Sequence, residues 1–307
     1  MTSLIGTPSP AKASGLTYTL AAVFSVVVGF VFLLLVSALG LAQEGYEKSD
    51  WYLYCAYLLT PLTFFLVTAF VLRWSNGSIA ESAGVRICSV RYFVLAILLQ
   101  CGLLCLSQLN GLFLEWLEGY GYQDTPIDLP SLDGFGLVGV LITVAVLPAI
   151  FEELIFRGLL LKGMRVFGVA GAVLLNGALF ALYHQNPAQT LYQFCCGAAF
   201  ALVAIRAGSI LPTVLSHFLN NALIIFLMKF NVTEWSIGVT VAVLIVSAVC
   251  LIASMVWLIF LDKGENSVEC KMETRLKRAE QKSFFFYVGV GVFLYALTWL
   301  SVLLTGF

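Results

Sequence analysis

The chain has 307 residues and a formal net charge of −1; hydrophobic residues make up 61% of it and charged residues only 11%. A soluble domain is about half apolar and about a quarter charged, so this composition excludes an ordinary soluble protein and indicates an integral membrane protein. No basic cluster with interleaved aromatic residues is present, which argues against nucleic acid as a partner. The eight cysteines lie mostly in apolar runs and form no CxxC pair, so packing is favoured over disulfides or metal binding.

Nine apolar runs are long enough to cross a bilayer, for which about 20 residues are needed. They predict an all-α fold, a polytopic transmembrane helical bundle of about eight to nine spans. The first run follows a polar N-terminal segment and is too long for the core of a signal peptide, so we expect an uncleaved first span. The runs lie at 16–42, 51–72, 92–114, 134–165, 167–186, 188–205, 208–229, 235–261 and 283–306.

These runs fall into three regions. An N-terminal transmembrane region of three spans covers 1–133, and a core of four spans covers 134–229. Residues 230–307 hold two further spans, joined by a charged linker at 262–282. Both histidines of the chain fall in the core, and ionisable groups inside a bilayer are costly enough to suggest a functional site.

The basic residues are distributed unevenly across the predicted spans. When the runs alternate across the bilayer, all 16 Lys and Arg residues except Lys48 and Lys229 fall on one side. The positive-inside rule places that side in the cytoplasm, so we expect a bacterial plasma-membrane protein with a cytoplasmic N-terminus and an external C-terminus. The outer loop at 115–133 is acidic and has no basic residue; a solvated loop is favoured there over a cation site.

The fourth run contains two adjacent glutamates followed by an arginine, Glu152, Glu153 and Arg157. Residues four apart share one face of a helix, so Glu153 can pair with Arg157. Glu152 points about 100° away around the helix and is free to face a cavity. A salt-bridged patch at a helix end explains the same residues about equally well.

Two further pairs with i, i+4 spacing follow in the fifth and seventh runs. Phe180 and His184 form the first pair, and His217 and Asn221 form the second. Taken alone, His184 fits an interfacial polar residue. The second pair, taken alone, fits hydrogen bonds that join helices within the membrane.

Two local patterns predict how the core packs. Small residues four apart, Gly177 with Ala181 and Gly197 with Ala201, indicate close contact between the fifth and sixth spans. Pro212 is expected to start or kink the seventh helix.

The polar residues of the core are predicted to lie at one depth. Glu152 precedes an expected hairpin turn at 168–171 by about 16 residues and His184 follows it by about 16, so a rise of about 1.5 Å per residue sets them level. His217 and Asn221 reach about 12 and 18 Å into the membrane from the start of the seventh run, by the same rise. The fourth, fifth and seventh spans are therefore expected to enclose one polar cavity.

The three blocks EExxxR, FxxxH and HxxxN, in this order on core spans, resemble the CPBP family of intramembrane proteases, which includes the type II CAAX prenyl endopeptidases and Abi-type bacterial proteins. The resemblance covers about 134–229 and implies an endopeptidase that acts in the lipid bilayer on a membrane-embedded or membrane-anchored protein or peptide. It implies that Glu152 activates a water and that His184 assists it. His217 and Asn221 would stabilise the oxyanion. The resemblance assigns supporting roles to Glu153, Arg157 and Phe180.

Other interpretations stay open at this stage. No metal cofactor is favoured, but Glu152, His184 and His217 would together make a His₂Glu zinc site, whose catalytic form keeps one position open. No HExxH motif is present and Asn221 is a poor zinc ligand, so a water activated by glutamate alone is favoured over zinc. A proton-coupled transporter and a non-catalytic membrane interaction or immunity protein are the alternatives from other classes; the internal repeat typical of transporters is not found in the sequence.

Overall fold

The computed structural model describes residues 8–124, 127–232, 236–262 and 274–307. Within these residues every regular element is helical, as expected for a membrane bundle, because a helix satisfies its backbone hydrogen bonds internally. The α-helices are α1 (Pro10–Ala38), α2 (Asp50–Ser75), α3 (Ile79–Ser82), α4 (Val90–Glu118), α5 (Phe135–Val140), α6 (Leu147–Glu153), α7 (Leu161–Met164), α8 (Gly168–Tyr183), α9 (Thr190–Ala207), α10 (Leu211–Lys229), α11 (Ile237–Val256) and α12 (Thr274–Thr305).

Eight helical stretches among the described residues are long and apolar enough to cross a membrane, and one of them, Phe135–Tyr183, has 49 residues. A straight helix of that length would span roughly 70 Å, but this stretch folds back on itself. Gly168, with φ of 77°, starts the second arm after a 3₁₀ turn at Arg165–Phe167; glycine adopts this conformation without strain. The all-α bundle of eight to nine spans is confirmed, and the hairpin explains why nine apolar runs give eight helical stretches.

Both terminal spans begin earlier than their apolar runs predict. Ser9 accepts a hydrogen bond from Lys12 N at 3.3 Å, and Pro10 occupies the first turn of α1, where its missing N–H costs nothing. At the other end of the chain, α12 already begins at Thr274, so part of the charged linker expected at 262–282 is helical. Residues 263–273 of that linker lie outside the described residues.

The predicted close contact between the fifth and sixth spans, α8 and α9, is confirmed. A Cβ on Gly197 would lie 2.8 Å from Gly177 Cα, so only glycine permits this helix crossing. On the other side of α8, Tyr18 of α1 donates a hydrogen bond to Leu179 O at 3.0 Å. The hairpin of the core is thus held between α9 and α1.

Pro212 starts α10, in agreement with one of the two outcomes expected for it, and the turn before it is firmly anchored. Gly208, with φ of 59°, ends α9. Arg86 Nε donates to Gly208 O at 2.6 Å, and Ser209 Oγ donates to Arg86 O at 2.6 Å. These bonds tie the α9–α10 turn to the segment before α4 and so fix the depth of His217. All seven cysteines in the described residues are free.

Candidate active site

The two adjacent glutamates lie on α6, a helix of seven residues between two π-helical stretches, Leu141–Val146 and Leu154–Leu160. Such wider turns occur frequently at functional sites. Glu152 is 7% exposed and Glu153 is fully buried. The backbone therefore carries both carboxylates into the centre of the bundle.

Glu153 binds two side chains. Its Oε1 accepts a hydrogen bond from Arg157 Nη1 at 2.8 Å and lies 3.1 Å from His217 Nδ1. Arg157 Nη2 also donates to Gly197 O at 3.3 Å, and its guanidinium lies 4.2 Å from the centroid of the Phe180 ring, a cation–π contact. The pairing of Glu153 with Arg157 that the spacing predicts is present, and it leaves Glu153 in position to orient His217.

Glu152 has different surroundings. Tyr183 donates a hydrogen bond to its Oε1 at 3.0 Å, while its Oε2 lies 3.8 Å from His217 Nε2. No group in the described part of the chain hydrogen-bonds Oε2, although this atom is buried. A buried carboxylate oxygen that accepts no hydrogen bond is costly, and such exceptions occur at catalytic sites.

Both histidines contact a hydrogen-bond acceptor of the protein through Nδ1. His184 Nδ1 lies 2.9 Å from Phe180 O, a carbonyl of the last helical turn, where backbone acceptors lack intrahelical partners. A carbonyl only accepts, so the bond assigns the hydrogen to Nδ1 and leaves Nε2 for the cavity. His217 has the same arrangement because its Nδ1 contacts a carboxylate oxygen of Glu153.

Amide side chains of α10 complete the site. Asn221 Nδ2 donates to Val144 O at 3.1 Å, a carbonyl that cannot receive the usual helical bond because Pro148 has no N–H. Asn221 Oδ1 accepts from Asn220 Nδ2 at 3.2 Å, and Asn220 Oδ1 accepts from the Tyr192 hydroxyl at 2.8 Å. One N–H of Asn221 is therefore engaged with the backbone and the other remains for the cavity.

These side chains line two connected cavities. The smaller has a volume of about 60 Å³ and is bounded by Glu152, His184, His217 and Asn221 among others, which leaves room for at least one water molecule. The larger, of about 630 Å³, shares all of these residues except His217 and extends toward the end of α10 at Met228. The structure thus brings together the four polar side chains that the sequence places at one depth.

Three residues of this site were not singled out from the sequence. Tyr183, Gln193 and Asn220 all line the cavities. Gln193 and Asn220 are polar residues within apolar runs, and that signal alone was enough to nominate them. Tyr183 gives no such signal, because tyrosine is common near membrane interfaces.

The described residues contain no group of three His, Cys, Asp or Glu side chains arranged to hold a metal ion. Glu152, His184 and His217 are the right donor types for zinc, but this arrangement does not bring them together as a ligand set.

A comparison with protein families points to the same region. Residues 134–223 match the family model described as Type II CAAX prenyl endopeptidase Rce1-like. The match begins just before α5 and ends within α10, so it contains Glu152, His184, His217 and Asn221.

Residues 134–223 are a CPBP-family membrane protease domain. No curated protein and no solved structure matches the chain. The CPBP domain covers less than a third of the sequence, and α1–α4, α11 and α12 lie outside it.

Proposed function

We propose that the protein is an intramembrane endopeptidase that hydrolyses a peptide bond of a membrane-associated protein or peptide with a water activated by Glu152. The observation that carries the proposal is the buried carboxylate of Glu152, whose Oε2 accepts no hydrogen bond, on a residue that lines a pocket together with two imidazoles. Amide hydrolysis needs a base beside a water molecule and hydrogen-bond donors for the developing oxyanion. Glu152 can supply the base, and His217 and Asn221 can supply the donors.

In the proposed reaction, Glu152 Oε2 takes a proton from water as the water oxygen attacks the peptide carbonyl. The negative charge that develops on the carbonyl oxygen is stabilised by the free N–H of Asn221 and by a protonated His217, which donates from Nε2. Collapse of the tetrahedral intermediate breaks the C–N bond. Glu152 then passes its proton to the departing nitrogen, and His184 Nε2 orients the water by accepting its other hydrogen.

The charges of the buried cluster support this assignment. Glu152 and Glu153 carry two negative charges when ionised, and Arg157 with a protonated His217 carries two positive charges. A buried group of charges is tolerated only when it is paired and hydrogen-bonded. The cluster is therefore neutral in the form that the mechanism requires, and Glu153 fixes the imidazole by its Nδ1 hydrogen bond.

The same proposal places the N-terminus in the cytoplasm of a plasma membrane, on the strength of the positive-inside rule. Lys162 and Arg91 lie at the end of the bundle assigned to the cytoplasm, and Lys229 lies at the other. The larger cavity extends toward Lys229, so the peptide bond would be cut from the external half of the membrane.

The proposal is tested with the full chain purified in detergent and a library of membrane-anchored reporter peptides, with cleavage followed by mass spectrometry. Glu152→Gln, His184→Ala and His217→Ala are each expected to abolish cleavage while the protein remains folded and monodisperse. Glu81→Gln, at an exposed position away from the cavity, is the matched control and should cleave like the wild type. Cleavage that survives all three substitutions would refute the assignment.

A chelator arm of the same assay separates the two versions of the chemistry. Treatment with 1,10-phenanthroline is expected to leave the rate unchanged, since Glu152 alone serves as the base. Loss of activity that is restored by added zinc would favour the zinc-dependent alternative.

A further inference from the structure

A second groove lies beside the catalytic cavity, on the outer surface of the bundle, where Ser107, Gln108 and Leu223 are exposed. It has a volume of about 430 Å³ and lies between α4, α10 and α11. The groove and the larger cavity of the site are two sides of one gap between α4 and α10, because they share four lining residues, which are Leu104, Ser107, Leu223 and Leu227.

α11 packs closely against α4 at Gly102, and the groove lies further along the two helices. A Cβ on Gly102 of α4 would lie 2.5 Å from Leu251 N of α11, so the two backbones are in contact there. The groove begins within about one to two turns of this contact, where Gln108 faces Thr240 and Val243 across it. The backbones of the antiparallel helices therefore meet at Gly102, and residues of both helices line the groove beyond that contact.

The groove contains polar groups that lipid cannot satisfy. Gln108 is exposed, and it lies about 15 Å from the end of α4 at Glu118 at a rise of about 1.5 Å per residue. Its side-chain amide makes no hydrogen bond to any residue that the structure describes, and the same holds for Gln193 inside the catalytic cavity. An acyl chain in the groove would leave these amides unpaired, which is costly in an apolar medium.

An extended polypeptide is an occupant that satisfies them. A segment that unwinds for cleavage loses its internal hydrogen bonds, and within the membrane it needs partners from the protein. Gln108 in the groove and Gln193 beside Glu152 each offer a donor and an acceptor. Their positions mark a path from the lipid to the carboxylate that is proposed as the base.

We infer that the gap between α4 and α10 is the lateral opening through which a membrane-inserted substrate segment reaches Glu152, and that Gln108 and Gln193 hydrogen-bond its unwound backbone. The inference rests on the proposed function and adds the class of substrate: a polypeptide anchored in the bilayer that unwinds next to its anchor. A substrate that approaches from the aqueous end of the larger cavity would not need the groove.

The test compares two substrates of the full-length protein in phosphatidylcholine vesicles. One is a single-span reporter with a cleaved sequence next to its anchor, and the other is the same sequence as a free peptide. Val243→Trp fills the groove from α11 without entering the catalytic cavity. Val246→Trp, on the same helix at a 60% exposed position outside the groove, is the control.

Val243→Trp is expected to lower kcat/KM for the anchored reporter by about tenfold or more and to leave the free peptide within about twofold, whereas Val246→Trp should affect neither. Gln108→Leu should lower kcat/KM for the anchored reporter alone by about tenfold, the equivalent of about one hydrogen bond to a buried group. An equal loss for both substrates, or for neither with Val243→Trp, would overturn the lateral route.

If no cleavage is observed, that result counts against the proposed function. The lateral route can then still be tested by crosslinking. A photo-crosslinking residue in place of Thr240 should capture the anchored reporter in the Glu152→Gln background, and the same residue in place of Val246 should not. Capture of lipid alone at position 240 would show that the groove is an acyl-chain site and would contradict the inference.

Discussion

At the scale of single residues, Tyr183 shows what a linear motif omits. It lies between the two members of the FxxxH block, yet its hydroxyl is the hydrogen-bond donor that holds Glu152 Oε1 at 3.0 Å. The ring packs in a tilted arrangement against Phe156 and Phe64, so the hydroxyl has little freedom to move. This geometry fixes the orientation of the Glu152 carboxylate, with Oε1 hydrogen-bonded and Oε2 without a hydrogen bond.

Tyr183→Phe is therefore expected to lower kcat by about tenfold or more, since a hydrogen bond to a charged group is worth about 1.5–3 kcal/mol and about 1.4 kcal/mol corresponds to tenfold in rate. KM should stay unchanged because the ring remains in place. Steady-state kinetics on a cleaved reporter measures both. An increase in KM with kcat intact would mean that Tyr183 contacts the substrate rather than positions Glu152.

Arg157 does not line either cavity, but it is expected to contribute strongly to the stability of the fold. It is 4% exposed and its only carboxylate within hydrogen-bond distance, among the described residues, is Glu153. Removing one partner of a buried ion pair costs about 3–5 kcal/mol, because the other charge is left without compensation.

We expect Arg157→Met to lower the melting temperature in detergent sharply, while Arg73→Met, at an exposed helix end, has little effect. The double variant Glu153→Gln/Arg157→Met should recover part of the loss, because no unpaired charge is left. A double variant that is less stable than either single one would contradict this account.

The spacing of residues in the sequence predicted much of this site and missed a definable part. Spacing of four predicts the Glu153–Arg157 pair, since both residues lie on one helix. It cannot predict that His217 contacts Glu153, or that Asn221 donates to Val144, because these contacts join different helices. Tyr183 and Gln193 are recognised as part of the site only once the packing of the helices against one another is known.

At the scale of helices, the crossing of α8 and α9 controls the position of the buried arginine. Gly197 faces Gly177 in this crossing, and its carbonyl accepts a hydrogen bond from Arg157. A side chain at Gly197 would push α9 away and withdraw that carbonyl. Packing of the lipid-embedded helices is thereby coupled to the charged cluster.

Gly197→Val is accordingly expected to lower both the melting temperature and the cleavage rate, since a Cβ there meets backbone rather than a flexible side chain. Gly29→Val is the matched control, because nothing lies within 4 Å of a Cβ at Gly29. Thermal unfolding followed by intrinsic fluorescence compares the two. Equal stability of both variants would show that the crossing tolerates a larger separation.

Hydropathy predicted the spans well and their boundaries less well. The number of apolar runs and the hairpin at Gly168 follow from composition and from one glycine-rich turn. The early start of α1 depends on a capping serine and a proline within a polar segment, which a hydropathy window does not register. The π-helical turns around α6 were not predicted, because one extra residue per turn leaves an all-apolar pattern unchanged.

At the scale of the whole molecule, the larger cavity extends toward the end of the bundle that has few basic residues. The external end assigned by the positive-inside rule has two basic residues, Lys48 and Lys229, and Lys229 is paired with Asp133 at 2.6 Å. Lys229 holds the pKa of Asp133 below its usual range, so this carboxylate stays ionised at neutral pH. Lys229 is therefore neutralised by Asp133, while the loop at 115–133 carries four further acidic residues and no basic one, so this end of the bundle is acidic.

The orientation is open to a direct measurement that does not depend on proteolysis. In a background without native cysteines, Asp128→Cys should react with a membrane-impermeant maleimide on intact cells, because Asp128 is exposed in the loop near the cavity. Lys162→Cys, exposed at the opposite end, should react only after the membrane is permeabilised. The reverse labelling pattern would show that the bundle has the opposite orientation in the membrane, with the wide end of the cavity toward the cytosol. The proposed chemistry at Glu152 would then stand, and the substrates would have to be sought among proteins whose cleaved segment faces the cytosol.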